Sequence, residues 1–225
     1  MDIKKLAEDK KTGRLTFELA GANPGFANAL RRSMMEGVPV MAIDTVEVRG
    51  NTSILYDEML AHRLGLIPLV TDLKGYTLPE VCTCAGEGCA KCMATLNINT
   101  EKEGTITADM LQTNDPKIKA VVPVPVVKLF KGQSINVVCY AKLGVGKEHM
   151  KWSPCLAWYR YKKDGKGKDI EPYHDQDDGS KESDKDFVFF VEPWGQLPAK
   201  DIVSEALKSL GKDLEQFTEA FNKAK

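Results

Sequence analysis

Between Val203 and Phe221 the apolar residues Val203, Leu207, Leu210, Leu214, Phe217 and Phe221 recur at alternating intervals of four and three. That is the period of a heptad, so the segment from about Pro198 to Ala224 is expected to be one long helix with a narrow apolar seam. Such a seam has to be covered, either by the chain's own domain or by a partner helix. Spacing alone leaves the two open.

A second helix is written near the other end of the chain. Asn23 suits the N-cap, where its side-chain oxygen accepts from a free backbone N–H, and Pro24 follows where a missing N–H loses nothing. Gly37 is expected at a left-handed C′ position, and Pro39 stops the helix. Phe26, Leu30 and Met34 mark its apolar stripe, and Arg31 and Arg32, being adjacent, cannot share a face. Thr12 to Ala20 reads as a strand before this helix, and Pro39 to Arg49 as a strand after it. In the latter, Val40, Ala42, Asp44, Val46 and Val48 are expected on one side, and Met41, Ile43, Thr45 and Glu47 on the other. Tyr56 to Leu69 is a short helix broken at Gly65, then an extended run.

Further strands are expected over 94–99, 105–108, 121–129 and 135–143, with Pro123 and Pro125 barring the third from a fully paired central position. Trp158, Tyr159 and Tyr161 read as a half-buried strand, Phe187 to Val191 as a short buried one, and Lys162 to Lys185 as an exposed loop rich in Gly, Asp and Lys. Strand and helix at both ends are apolar and complementary, while the middle has its own strands. The fold class expected is therefore α+β: one discontinuous domain from residues 1–49 and 187–225, interrupted by a mainly β insertion over 50–186.

Cys82, Cys84, Cys89 and Cys92 put four thiols in one loop. Cys89-x-x-Cys92 is a common knuckle spacing for a tetrahedral metal, whereas one residue between Cys82 and Cys84 is less usual. Gly86 and Gly88 let the backbone turn tightly, and Lys91 sets a positive charge beside a dianionic centre. Free thiols, a redox pair and an iron–sulfur cluster are the alternatives, the last being the serious rival because it too takes four thiolates. Cys139 and Cys155 fall in strands and read as small buried hydrophobes.

A formal net charge of −1 gives no support for a protein that grips nucleic acid by its backbone. No apolar run is long enough to span a membrane, and the N-terminus lacks a signal-peptide core, so a cytoplasmic protein with reduced or metal-bound thiols is expected. No P-loop, dinucleotide fingerprint, nucleophile elbow or His-Glu-x-x-His motif occurs. His62, His149 and His174 read as structural or surface residues. Asp44, Asp57 and Glu58 do not form the carboxylate cluster that two-metal phosphoryl transfer needs. His149 to Pro154 reads equally as a surface turn over Trp152 and as a contact site.

Ala29-Leu-Arg-Arg32, Ala42-Ile-Asp44, His62-Arg-Leu-Gly-Leu-Ile-Pro-Leu69, Gly146-Lys-Glu-His-Met-Lys-Trp-Ser-Pro154 and the run from Phe187 to Leu210 come in this order. Together they resemble the D-type subunits of archaeal RNA polymerases, a family related to the third-largest subunit of eukaryotic RNA polymerase II and to the bacterial alpha subunit. The resemblance covers most of the chain. It implies a non-catalytic assembly subunit of a DNA-directed RNA polymerase, with a dimerisation domain made from both chain ends. It implies a heterodimer with a small L-like archaeal partner, formed through Phe26, Leu30, Met34, Val203, Leu207, Leu210, Leu214, Phe217 and Phe221. The second-largest subunit and other small subunits would dock on that pair, with Arg31, Arg32, His62, Arg63, His149, Lys151 and Trp152 as candidate large-subunit contacts. DNA would be reached only through the complex. The cysteine loop resembles the zinc loop of the eukaryotic relatives, which implies one structural zinc on Cys82, Cys84, Cys89 and Cys92. A free-standing zinc module for nucleic-acid or redox work is the competing function; it wants a basic surface or an accessible acidic thiol, and the sequence offers neither clearly.

Overall fold

The computed structural model describes residues 1–163 and 181–224. In chain order the main elements are β1 (Asp2–Glu8), β2 (Leu15–Ala20), α1 (Pro24–Glu36), β3 (Val40–Asn51), α2 (Asp57–Gly65), β4 (Met93–Thr100), β5 (Gly104–Thr107), β6 (Gln112–Thr113), β7 (Pro125–Leu129), β8 (Ile135–Gly144), β9 (Cys155–Lys163), β10 (Glu182–Pro193) and α3 (Ala199–Lys223). They divide into two compact units, one of Met1–Val38 with Pro154–Lys225 and the other of Pro39–Ser153. The cuts fall at Val38/Pro39 and Ser153/Pro154 rather than near Arg49 and Phe187. The whole of β3 pairs with β8 in the second unit, and β9 pairs with β10 in the first, so strand partners and not chain distance set the division.

In the first unit four antiparallel strands run in the order β1-β2-β10-β9. Phe187 to Val191 are all fully buried, which is what a strand covered on both faces requires of a continuous apolar run. Phe17 stacks on Phe189 with centroids 5.0 Å apart, and Trp158 on Phe190 at 5.4 Å. Trp158 and Tyr159 are thus half-buried cross-strand partners, in keeping with their spacing. Strand β1 was not legible in the sequence. It is an exposed edge strand carrying Lys4 and Lys5, with none of the alternation that marks a half-buried strand. Lys162, Lys163 and Glu182 to Lys185 belong to β9 and β10, not to a loop; the rest of the expected loop, 164–180, and with it His174, lies outside the described residues.

Helix α1 is capped as expected, Asn23 Oδ1 accepting from Phe26 N–H at 2.8 Å. Its C-terminus corrects one expectation. Gly37 has φ −104°, which any residue adopts, so it is not a left-handed cap. A Cβ there would stand 2.6 Å from Ser209 Oγ on α3, and Ser33 Oγ donates to the Ala206 carbonyl at 2.7 Å. Small residues let the two helices approach, and a side chain at Gly37 would have to displace the Ser209 hydroxyl.

In the second unit the sheet order is β3-β8-β4-β6, with a separate pair β5-β7. Its core gathers Met41, Ile43, Leu60, Leu64, Ile67, Leu96, Ile98, Val137, Cys139 and Leu143 among others, with Val46 and Val48 packed at its margin. Met41 and Ile43 thus share a face with Val46 and Val48, contrary to strict alternation. The register shows why: Ile43 pairs with Ala141 and Thr45 with Tyr140, leaving Asp44 as the extra residue of a β-bulge. One inserted residue flips the side-chain phase of everything after it. Strand β7 starts at Pro125, in a two-stranded pair where a proline is tolerated.

Candidate metal centre and exposed faces

The cysteine loop leaves a one-turn 3-10 helix at Pro79–Val81 and returns to the sheet at Met93. Between them the backbone turns three times: Ala85 donates to Cys82 O, Glu87 to Cys84 O, and Cys92 to Cys89 O. The left-handed positions this needs are Ala85 (φ 52°), Gly86 (φ 86°) and Gly88 (φ 92°), so both glycines serve the turn. All four thiols are unpaired in the covalent sense. Their Sγ atoms lie within 4.8 Å of one another. Cys82 is 3.5 Å from both Cys84 and Cys89, Cys84 is 3.5 Å from Cys92, and Cys89 is 3.9 Å from Cys92.

A tetrahedral ion with Zn–S bonds of about 2.3 Å holds its sulfurs roughly 3.8 Å apart. The donor set therefore fits such an ion in number, chemistry and spacing, the unusual Cys82-x-Cys84 pair included. Without a cation, so many thiols in contact cannot all ionise. The Cys82 thiol and the Gly88 backbone push Cys84 down to about 6, while burial pushes Cys92 up to about 12. A divalent cation at the centre makes every ligand a thiolate. Cys139 and Cys155 stand apart from this group, fully buried in their strands, and burial pushes each thiol up to about 12.

The nine residues expected to face a small partner do not share one fate. Leu30 and Met34 are fully buried in the first unit's own core and so offer a partner no open surface in the chain by itself. Phe26 is half-buried. On α3 the buried residues are Ala199, Ile202 and Ala206. Ile202 and Ala206 precede the seam residues Val203 and Leu207 by one position, roughly 100° around the helix. Val203 and Leu210 are half-buried. Leu207, Leu214, Phe217 and Phe221 are 40, 67, 70 and 57% exposed. The first half of α3 thus packs on its own unit through a face beside the seam, and the second half holds the seam uncovered.

The candidate large-subunit contacts are also separated. Arg31 and Arg32 lie on α1 in the first unit, Arg31 held by Asn28 Oδ1 and Arg32 paired with Glu36. The other five are in the second unit. His62, His149 and Lys151 line a cleft of about 330 Å³ with Asp44, Glu58, Val46 and Leu66. Trp152 is buried beneath it, its Nε1 donating to Lys142 O at 3.3 Å, so it supports the surface and does not form it. Asp44, weighed in the sequence only as a carboxylate for metal chemistry, and Lys142, unremarked there, tie this turn down: the carboxylate takes Lys151 at 2.7 Å and Lys142 at 2.9 Å. Their signal is the bulge, which no residue pattern announces. Arg63 points elsewhere, donating to Pro125 O at 2.8 Å in a second cleft.

Residues 42–154 match the family profile of the RNA polymerase Rpb3/RpoA insert domain, nearly the span of the second unit. The DNA-directed RNA polymerase subunit Rpo3 of Pyrococcus furiosus is 32% identical over 255 residues, taking in 96% of this chain and 95% of that protein. The chain belongs to the Rpo3 family. The Rpo3 of Pyrobaculum arsenaticum is 36% identical over 230 residues, with 88% of each chain covered. That of Pyrobaculum aerophilum is 46% identical over 144 residues, 63% of this chain and 55% of the relative. The full-length Rpo3 matches take in both units, so the likeness is not confined to the insert domain.

Proposed function

We propose that this chain is a non-catalytic assembly subunit of a multisubunit DNA-directed RNA polymerase, working in the cytoplasm. The observation that carries the reading is its relatedness to an Rpo3 subunit across 96% of its length. The unit made from both chain ends is the dimerisation domain, and it pairs with a small L-like subunit. The uncovered seam of α3 supports this: Leu207, Leu214, Phe217 and Phe221 form an apolar stripe on a helix that packs on its own unit through Ala199, Ile202 and Ala206 near its start. Val203, Leu210 and Phe26 border it, and Leu30 and Met34 hold α1 in place from within.

The pair then receives the second-largest subunit and other small subunits, with Arg31, Arg32, His62, Arg63, His149 and Lys151 as contacts and Trp152 as their support. One zinc ion on Cys82, Cys84, Cys89 and Cys92 stabilises the loop of the inserted domain. Four thiolates leave no position for water or substrate, so the role is structural. Purification of the chain from its native cells under mild conditions tests the reading. Polymerase subunits are expected to accompany it, and a chain that elutes alone at physiological salt contradicts assembly.

A further inference from the structure

The second cleft of the Pro39–Ser153 unit has a volume of about 470 Å³ and is lined by Ile54, Leu55, Arg63, Thr105, Pro125, Val126, Val127, Lys128 and Phe130. Large apolar side chains crowd its rim in the open: Ile54 is 73% exposed and Phe130 50%. Tyr56 (77%), just before α2, and Met59 (49%) are also exposed, on the side of the helix that carries Arg63, at i, i+3 and i+7. The neighbouring face of α2, with Leu60 and Leu64, is buried in the core. A cluster of exposed apolar groups of this size marks an interaction site.

The charged residues lining the cleft have one sign. Arg63 and Lys128 are its only charged residues, and neither has a carboxylate partner among the described residues. Arg63 spends one N–H on the Pro125 carbonyl, which fixes its guanidinium at the wall. Lys128 Nζ sits 5.5 Å from the centroid of the Phe130 ring. An apolar floor between two unpaired cations is complementary to an apolar side chain flanked by carboxylates. A nucleic acid backbone is a poor match, because the lining is mainly apolar and the chain carries a net charge of −1.

We infer that this cleft is a docking site for a segment of another polymerase polypeptide that inserts an apolar side chain between Arg63 and Lys128 and sets an acidic residue beside them. The inference rests on the assembly reading and gives Arg63, already proposed as a contact, a definite partner chemistry, in a cleft separate from the α3 seam and from the His62–His149 cleft. The test is site-specific photo-cross-linking in the assembled polymerase, with a photoreactive amino acid in place of the exposed Ile54. One protein adduct is expected, mapping to a segment with an apolar residue and an Asp or Glu close by in sequence. Lys128→Glu, an exposed change that leaves the core untouched, is expected to cut the adduct about tenfold, as loss of one interfacial charge pair and its reversal do. The amount of chain incorporated into the polymerase should not change. No adduct, an adduct to nucleic acid, an adduct to a segment without acidic residues, or a yield indifferent to Lys128→Glu overturns the site. A chain that never enters the polymerase removes the assembly reading as well, and the incorporation measurement separates the two failures.

Discussion

Lys151 Nζ stands 2.7 Å from Asp44 Oδ1 across 107 residues of sequence, and the contact exists because Asp44 is the extra residue of a bulge. Lys142 takes the other carboxylate oxygen at 2.9 Å, and the Lys151 ammonium lies 4.3 Å from the centroid of Trp152. A bulge that re-aims one carboxylate thereby fastens the His149–Trp152 turn to β3. The turn's candidate contact residues owe their positions to this clamp.

Asp44→Asn should destabilise the second unit by about 1 kcal/mol at neutral pH, the lower end for such a network because Asp44 is partly exposed and screened. Burial alone would raise the Asp44 carboxyl, but the hydrogen bonds and charges of Lys151 and Lys142 outweigh it and hold it below the ordinary range. A lowered folded value contributes stability above the unfolded pKa of about 3.9 and loses it as the pH falls through the folded value. Urea midpoints of wild type and variant should differ at pH 7, the gap should start to close near about pH 3.9, and it should be gone only below the lower folded value. A gap that persists unchanged in acid removes the clamp from the account.

Gly144→Ala should strike the same turn from below. An added Cβ would lie 2.5 Å from the ring atoms Cδ2 and Cε2 of Trp152, whose side chain is buried. Overpacking of this kind costs about 1–3 kcal/mol. The expected readout is a lowered melting temperature with a red-shifted tryptophan emission as Trp152 is pushed towards water; an unshifted spectrum at full stability would contradict the packing.

Metal analysis of a native preparation should find one zinc per chain. Cys89→Ser should lose it and loosen the loop, while circular dichroism of the first unit's helices persists, since that core lies elsewhere. After chelation, the half-buried Cys84 and Cys89 should react first with an alkylating reagent in the folded chain, and Cys139 and Cys155 should stay closed to it until denaturant is added. Iron with visible absorbance in place of zinc would overturn the assignment of the metal.

On α3, adjacent faces should respond differently. Ile202→Ala empties a fully buried site and should cost about 2–5 kcal/mol of the chain's own stability. Leu214→Ala and Phe217→Ala remove side chains that are 67 and 70% exposed, so the isolated chain should melt as wild type does. Co-purification with the small subunit should instead fall sharply for both. Normal pairing of the two variants would place the partner elsewhere.

Sequence by itself determined the local matters. Asn23 and Pro24 set the start of α1, Pro125 keeps β7 out of a central position, four cysteines in one glycine-bearing loop define a donor set, and the heptad spacing fixes one straight stripe on α3. Each is a property of a few neighbouring residues, and short-range sterics and hydrogen bonds suffice to decide it. The tertiary structure alone decided which stripes are covered. Leu30 and Met34, four apart, and Leu214 and Phe217, three apart, both give a helical stripe signal, yet the first pair is fully buried and the second stands exposed. Burial depends on what a distant segment brings, and spacing is blind to that. The same holds for Asp44. A bulge inverts the phase of a strand when register with a partner requires it, and the register of β3 is set by β8, far along the chain. Gly37 makes the point in miniature: it reads as a turn residue, but what crowds a Cβ there is the hydroxyl of Ser209 from α3.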